Sequence, residues 1–250
     1  RILNKKREEI LTNLEQEINF KDFIKYKKFI QRRSQNEPIA YIMQEKEFWS
    51  KKFFLSHDTL IPRPETELMV ERLVKIFKEK KISILDIGTG SGCILISLLS
   101  ELTNSKGVGI DISKKALVIA KKNSKKLSSL NNIKFFNKPI ESKFNQKFDL
   151  IVSNPPYIKS NEIKNLSEDI KRYEPIIALD GGNDGLDVIR KVIYKTKYIL
   201  KVKGMLALEI GNEQFKKVSE LLKKKNFKIE YTIKDYEDNI RSIISTYIGN

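Results

Sequence analysis

Four consecutive residues after a predicted strand carry the clearest chemistry in this sequence: Asn154-Pro155-Pro156-Tyr157. The hydrophobic run that precedes them, residues 148–153, predicts a buried strand. The two prolines offer backbone carbonyls without N–H donors, the asparagine adds a side-chain carbonyl, and the tyrosine adds a flat ring. Such a group can accept both hydrogens of an NH2 group and stack on the plane that carries it. The tetrad therefore predicts a site that presents an amide or aromatic amine nitrogen to an electrophile.

A glycine-rich loop, Gly88-Thr89-Gly90-Ser91-Gly92, joins a predicted strand to a predicted helix. Alternate glycines let a ligand approach the backbone closely, and the start of the following helix offers free N–H groups. A dinucleotide fingerprint would place Gly or Ala three residues after Gly90, where Cys93 stands. The spacing matches an S-adenosylmethionine loop instead, although the loop alone does not decide between cofactors.

The next predicted strand ends in Asp111. An acidic residue at this place can accept both hydroxyls of a ribose, which NAD and S-adenosylmethionine both carry. The tetrad decides between the two cofactors. Hydride transfer does not require a site that accepts NH2 groups, whereas methyl transfer to nitrogen does. We predict S-adenosylmethionine as the cofactor. Its predicted contacts are Gly88, Thr89, Gly90, Ser91, Gly92, Asp111 and Asn154.

The predicted reaction needs no strong base. An amide nitrogen is a poor nucleophile because its lone pair is delocalised into the carbonyl. The Asn154 side chain and the Pro155 carbonyl can hold both N–H bonds and favour the positive charge that develops on nitrogen. In-line orientation can supply about 7–11 kcal/mol of the remaining barrier. The predicted catalytic and substrate-binding residues are Asn154, Pro155, Pro156 and Tyr157.

Composition restricts the class of protein. At 250 residues, one main domain with a smaller one is expected. The single cysteine, Cys93, excludes an intramolecular disulfide and a multi-cysteine metal site, so we expect no metal. The apolar stretches are too short to span a bilayer, and the first residues have no signal-peptide pattern, so we expect a cytoplasmic protein without a membrane partner. The net charge of +16 leaves two readings open, a basic face for ribosome or RNA contact and a compositional bias.

Strands and helices alternate from residue 82 to the end, which predicts a doubly wound α/β sheet. Residues 1–35 have a charged, helical pattern, and aromatic residues around lysine-rich turns predict a β-hairpin within residues 45–61. Pro62 and Pro64 fix an extended entry into a helix that we expect to run to about Lys80. The lone histidine, His57, is expected to be an ordinary loop residue.

From about residue 30 onward the chain resembles the release-factor glutamine N5-methyltransferases. Besides the glycine loop and the tetrad, five segments carry the resemblance: Glu37 to Ile42, Leu60 to Glu67, Tyr173 to Pro175, Gly181 to Asp187, and Leu208 to Gly211 with Gln214. The tetrad is shared with methyltransferases that act on nucleic-acid amines. The segments at residues 61–67 and 173–187 are much more specific to this family.

The resemblance implies a Rossmann-like class I S-adenosylmethionine-dependent methyltransferase sheet with seven strands, the last of them antiparallel. It implies that the substrate is the glutamine of the Gly-Gly-Gln motif in peptide-chain release factors. It also implies a helical region that helps to bind the release factor, at residues 1–45, then a hairpin connector at 46–62 and a catalytic domain at 63–250. Because the helical region is short and the chain begins with Arg1, we expect a segment of a longer protein.

One stretch departs from the family pattern. Relatives usually carry a Ser-Asp-Trp-like stretch near the adenine of the cofactor, where this chain has Asn137-Lys138-Pro139. An acidic acceptor and an aromatic neighbour are both missing, so we expect Asn137 or backbone groups to replace them.

Two other functions are weighed against this one. The first is methylation of adenine N6 or another exocyclic amine in RNA or DNA, which the positive charge supports, although no region has the pattern of a target-reading domain. The second is a basic, ribosome-associated binding module that kept the fold without activity, for which the altered stretch at residues 137–139 is the only hint.

Overall fold

The computed structural model describes residues 2–3, 5–127 and 132–249. A two-stranded hairpin precedes a seven-stranded sheet. The hairpin strands are β1 (Glu45–Phe48) and β2 (Lys51–Phe54). The sheet strands are β3 (Ser83–Ile87), β4 (Lys106–Asp111), β5 (Ile133–Asn137), β6 (Phe148–Ser153), β7 (Leu200–Glu209), β8 (Phe227–Lys234) and β9 (Ile240–Tyr247).

The sheet has the strand order β5-β4-β3-β6-β7-β9-β8. Strands β3 to β7 pair in parallel, and β9 runs antiparallel to both β7 and β8. The order reverses between β3 and β6, which is where open α/β sheets bind ligands beyond the carboxyl ends of their strands. The predicted seven-stranded sheet with an antiparallel last strand is confirmed.

Helices accompany the strands in the alternation that the sequence predicts. They are α1 (Arg7–Leu11), α2 (Phe20–Ser34), α3 (Ile39–Ile42), α4 (Pro64–Phe77), α5 (Cys93–Glu101), α6 (Lys114–Leu127), α7 (Glu168–Tyr173), α8 (Asp187–Ile199) and α9 (Phe215–Lys224). Within the described ranges, no helix has both the length and the apolar character needed to cross a bilayer.

Two hydrophobic cores cover the faces of the sheet. Strand residues alternate between the faces, so Ile84 and Leu150 pack with α4 and α5 while Leu85 and Ile151 pack with α8 and α9. All four side chains are fully buried. The layers hold the strand ends rigidly, which is what a site built from those ends requires.

Two helix boundaries differ from the expectation. The predicted helical pattern over residues 1–35 divides into α1 and α2, because the Asn19 side chain accepts a hydrogen bond from the Asp22 amide at 2.9 Å and begins a new helix. Helix α4 ends at Phe77 rather than near Lys80, since Glu79 has a positive φ of 63° that a right-handed helix cannot contain. The division of the chain at residues 45 and 62 stays a prediction.

A buried side chain, Asn123 of α6, helps the packed Phe48 and Phe53 to attach the hairpin to the sheet domain. Its Oδ1 accepts from the Phe54 amide at 2.7 Å, and its Nδ2 donates to the Phe54 carbonyl at 3.0 Å and to the Ser91 carbonyl at 2.9 Å. Because Ser91 belongs to the glycine-rich loop, Asn123 connects β2 to that loop.

We expect Asn123→Ala to lower the free energy of unfolding by about 2–3 kcal/mol, since it leaves buried backbone groups without partners. Chemical denaturation measures the change. Lys121→Ala, on the exposed face of α6, is the matched control and should change stability by less than about 0.5 kcal/mol. Equal midpoints for the two variants would contradict the proposed attachment.

Candidate active site

A cavity of about 620 Å³ lies beyond the carboxyl ends of β3, β4 and β6. Its floor is the loop that contains the three alternate glycines, and one wall is the segment 111–113 after β4. Residues 58–62 of the connector and residues 175–182 close it from the other side. The structure thus brings together the glycine loop, Asp111 and Asn154, which lie far apart in the sequence.

The glycine-rich loop has the backbone geometry that its sequence predicts. Gly88 and Gly92 have φ angles of 73° and 81°, in the left-handed region that favours glycine. A Cβ on Gly92 would lie 3.0 Å from the Ile96 Cδ1, whereas one on Gly88 would meet nothing within 4 Å. The open space beside Gly88 belongs to the cavity, so the loop backbone itself is available to a ligand.

Asp111 holds the loop while keeping acceptor capacity. Its Oδ2 accepts from the Gly90 amide at 2.9 Å, and its Oδ1 accepts from the Ser113 amide at 2.8 Å. Burial raises the pKa of this carboxyl, and the backbone hydrogen bonds oppose the rise. Each carboxylate oxygen has two lone pairs, so both can accept a further hydrogen bond from a ligand in the cavity.

Asp86 lies under the loop and is fully buried. The Thr89 hydroxyl donates to its Oδ2 at 2.6 Å, and the Leu95 amide also favours the charged form. Its Oδ1 has no hydrogen-bond partner among the described residues. Burial raises the pKa of Asp86 to about 7. An incompletely paired carboxylate at this depth favours a positively charged ligand beside it.

Cys93 also lines the cavity, but it is a poor nucleophile. Burial raises the pKa of its thiol to about 12, so the reactive thiolate is scarce at neutral pH.

The tetrad follows β6 and is shared between two cavities. Asn154 and Pro156 line the large cavity, while Asn154 and Tyr157 line a neighbouring one of about 180 Å³. Pro155 is buried and lines neither. Asn154 therefore stands at the boundary between a large cavity suited to a cofactor and a small one.

The Tyr157 backbone is held by a side chain that the sequence reasoning gave no role. Gln214 donates from Nε2 to the Tyr157 carbonyl at 3.0 Å and to the Gly185 carbonyl at 3.2 Å. Its Oε1 accepts from the Gly211 amide at 2.8 Å. These bonds lock the segments at residues 181–187 and 208–214 onto the tetrad.

Thr66 and Glu209 are two further polar residues that sequence reasoning did not assign. The Thr66 hydroxyl donates to Glu209 Oε2 at 2.5 Å, and the nearby Asn154 side chain lowers the pKa of this carboxylate. Glu209 is 2% exposed, and burial raises its pKa to about 7. The sequence signal that could have identified Glu209 was its position at the end of a strand that neighbours β6.

Asn137 does not line the large cavity. Its Nδ2 donates to the carbonyls of Asp111 and Ile112, at 2.9 Å each, which fixes the turn after β4. The cavity wall at this place is formed by Ile112, Lys138 and Ile140. The predicted role of Asn137 as a direct replacement for an adenine contact therefore has no support in the geometry, and two isoleucines and a lysine occupy that wall.

Known proteins match this chain over nearly its whole length. A family model described as a methyltransferase domain matches residues 78–234, and one described as a PrmC N-terminal domain matches residues 1–43. The release factor glutamine methyltransferase of Buchnera aphidicola subsp. Schizaphis graminum is 45% identical over 93% of this chain and 84% of that protein. The chain belongs to the release factor glutamine methyltransferase family. The Clostridium acetobutylicum member is 37% identical over 99% of this chain and 88% of its own length.

Solved structures agree on the fold. A methyltransferase from Pyrococcus furiosus superposes with a TM-score of 0.62 at 18% identity, covering 88% of this chain and 99% of that one. The hMettl16 catalytic domain in complex with the MAT2A 3'UTR hairpin 1 superposes with a TM-score of 0.64 at 16% identity. The match covers 84% of this chain and 78% of that one. At these identities the likeness shows a shared sheet and helix arrangement.

The cofactor of this methyltransferase is S-adenosylmethionine, and the residues of the cavity fit it. The ligand is a cationic nucleoside, which requires hydroxyl acceptors, a close backbone approach and a negative environment. The spare lone pairs of Asp111 and the open backbone at Gly88 provide the first two features, and Asp86, which is buried beneath the loop and does not line the cavity, places a carboxylate under it. Within the part of the chain that the structure describes, no cluster of His, Cys, Asp and Glu side chains could hold a metal ion.

The buried charge of Asp86 predicts a specific pH dependence of stability. Its pKa rises from 3.8 to about 7 on folding, so the folded state binds the proton more tightly. The free energy of unfolding therefore falls as pH rises from about 4 to about 7. Asp86→Asn should flatten this slope and raise stability above pH 7 by about 1–3 kcal/mol, less than the full shift because the new NH2 group lacks an acceptor. Denaturation at several pH values measures both, and an unchanged slope would contradict the assignment.

Proposed function

We propose that this chain transfers a methyl group from S-adenosylmethionine to the side-chain amide nitrogen of the glutamine in the Gly-Gly-Gln motif of a peptide-chain release factor. The observation that carries the proposal is the position of Asn154 between the two cavities. A glutamine side chain that enters the small cavity meets Asn154 at the boundary with the large one. Membership of the family supplies the class of substrate.

Asn154 acts by holding the nitrogen in one orientation. Its side-chain oxygen accepts one amide hydrogen, and the Pro155 carbonyl accepts the other. Pro155 itself is buried and lines neither cavity, so the role of its carbonyl rests on the tetrad pattern and not on the cavity geometry. The acceptors favour the positive charge that develops on nitrogen, and a preorganised acceptor has no reorganisation cost during the reaction.

The remaining members of the tetrad shape the path of the glutamine. The Tyr157 ring lines the small cavity and offers a flat surface to the planar amide, while Pro156 lines the large cavity. Burial raises the pKa of the Tyr157 hydroxyl, so the side chain stays neutral and serves as a surface rather than a base.

The loop from Gly88 to Gly92 and the Asp111 side chain would hold the cofactor, and the Asp111 carboxylate could accept hydrogen bonds from its ribose hydroxyls. When bound, S-adenosylmethionine supplies an electrophilic methyl group on a positively charged sulfur. The partly unpaired carboxylate of Asp86 favours that charge on this side of the sheet. The methylated nitrogen is acidic and releases its proton without a strong base.

Methylation of an amine in RNA or DNA is the alternative that the tetrad alone allows. Family membership favours a protein substrate over a nucleic-acid substrate. It also favours an active enzyme over a binding module without activity. Contact with ribosome or RNA through the basic surface stays a prediction, and so does a cytoplasmic location.

Mass spectrometry of a release factor incubated with this chain and the methyl donor tests the function. We expect one added methyl group on the glutamine of the Gly-Gly-Gln motif. A release factor with glutamate in place of that glutamine is the matched control and should stay unmodified. Parallel incubations with RNA and DNA should give no methylation, and transfer to either without transfer to the release factor would favour the alternative.

Two variants should separate catalysis from cofactor binding. Asn154→Ala should lower kcat by about 10²–10³-fold, the range for loss of one preorganised hydrogen-bonding group, with little change in cofactor affinity. Asp111→Ala should weaken cofactor binding by about 10–100-fold, as expected for loss of charged hydrogen bonds. Kinetics and calorimetry with S-adenosylhomocysteine measure these effects. Near-normal turnover in Asn154→Ala would exclude the proposed acceptor role.

A further inference from the structure

Glu209 lies beside Asn154 because of the strand register. In the parallel pair of β6 and β7, Ser153 is opposite Leu208, so the residues that follow them, Asn154 and Glu209, lie side by side at the end of the two strands. Glu209 is 2% exposed and does not line either cavity, whereas Asn154 lines both. The carboxylate is thus placed behind the proposed substrate-binding amide, away from the substrate itself.

The Glu209 carboxylate is held by one hydrogen bond and lies beside a second possible donor. The Thr66 hydroxyl of α4 donates to Oε2 at 2.5 Å, and the side chain of Asn154 is near enough to lower the pKa of the same carboxylate. Thr66 is itself buried, at 2% exposure. A buried carboxylate that Thr66 holds has a defined position, and its acceptors favour one orientation of an amide group beside it.

The chemistry of the two groups decides which end of the Asn154 amide faces the cavity. An ionised carboxylate has acceptors only, so the Asn154 NH2 group must turn toward Glu209. The Asn154 oxygen then points the other way, where it can accept a hydrogen from a substrate NH2 group. With the amide reversed, two NH2 groups would face each other and the proposed acceptor would be lost.

We propose that Glu209 is the positioning residue that orients the Asn154 amide, so that its oxygen rather than its nitrogen meets the nitrogen to be methylated. This inference rests on the proposed function and deepens it. Thr66 supports the arrangement by holding Glu209 Oε2.

The arrangement is sensitive to protonation. Burial raises the pKa of Glu209 to about 7; the charge of Glu65 raises it further, whereas Arg241, the hydrogen bond from Thr66 and the nearby Asn154 side chain lower it. The Glu209 charge in turn raises the pKa values of the neighbouring Tyr157 and Cys93, which both stay neutral. Above about pH 7 Glu209 is an acceptor and the amide is correctly oriented. Below it, the protonated carboxyl can donate to the Asn154 oxygen, so the active orientation is lost as pH falls.

The side-chain amide of Asn154 can be observed directly by NMR of the 15N-labelled protein. The Asn154 side-chain signal is identified because it is absent from the spectrum of the Asn154→Ala variant. We expect this signal to titrate with a midpoint near pH 7, and the rate of release-factor methylation to rise through the same midpoint. The NMR measurement needs neither cofactor nor substrate, so it is independent of the proposed function.

Three variants sharpen the test. Glu209→Gln, which is nearly isosteric, should abolish the titration and the matching pH dependence of kcat, and lower kcat about 10-fold while KM and cofactor affinity change little. Thr66→Val should move the midpoint to higher pH, because it removes a donor that favours the ionised form. Glu71→Gln, on the exposed side of α4, is the control and should leave the midpoint and the rate unchanged.

The outcomes separate this inference from the function on which it rests. An Asn154 signal that does not titrate in the wild-type protein, or that still titrates in Glu209→Gln, overturns the positioning role even if the release factor is methylated. Absence of release-factor methylation by the wild-type protein overturns the proposed function, while a titration that depends on Glu209 would still establish the coupling between the two side chains. Thermal unfolding of Glu209→Gln shows whether the variant keeps its fold.

Discussion

The site depends on the register of the central parallel strands. Asp86 lies one residue before the end of β3, Asp111 ends β4, Asn154 follows β6 and Glu209 ends β7. These strands are neighbours in the sheet, and their pairing places the four side chains along one edge. A slip of one residue in any pair would send the corresponding side chain to the opposite face, because strand residues alternate. The two hydrophobic cores therefore determine function indirectly, since they make the register unique.

Two carboxylates at that edge are unfavourable for the fold itself. Asp86 and Glu209 are both buried, and both have a pKa raised to about 7 mainly by loss of solvation. A hydrophobic residue of similar size at either place would leave no charge to solvate. Each carboxylate instead faces a group that the reaction uses, the cofactor loop for Asp86 and Asn154 for Glu209. The local destabilisation is consistent with a functional rather than a structural role for these residues.

Sequence reasoning predicted the strands and helices of the sheet domain and the residues that the fold brings to its carboxyl edge. The alternating periodicity located the seven strands, the glycine loop and the tetrad, since each of these is a local pattern. It could not identify Asn123 and Glu209 as parts of the site, because their partners lie 69 and 143 positions away in the sequence. Their contacts exist only after the sheet forms. The same limit explains why the role of Asn137 was not predicted. Its side-chain amide donates to two carbonyls of a turn that no sequence pattern revealed.

The connector that closes both cavities is held from two sides. The Tyr41 hydroxyl of α3 donates to the Thr59 carbonyl at 2.7 Å, and the fully buried Tyr41 ring keeps this bond from solvent. From the other side, the buried Glu174 accepts from the Ile61 amide at 3.2 Å and from the Arg63 guanidinium at 2.5 Å. Thr59 lines the large cavity and Arg63 the small one. A displacement of the N-terminal helices must therefore either break the Tyr41 bond or move a wall of the cofactor cavity, so the helical region and the chemistry are mechanically linked through this short segment.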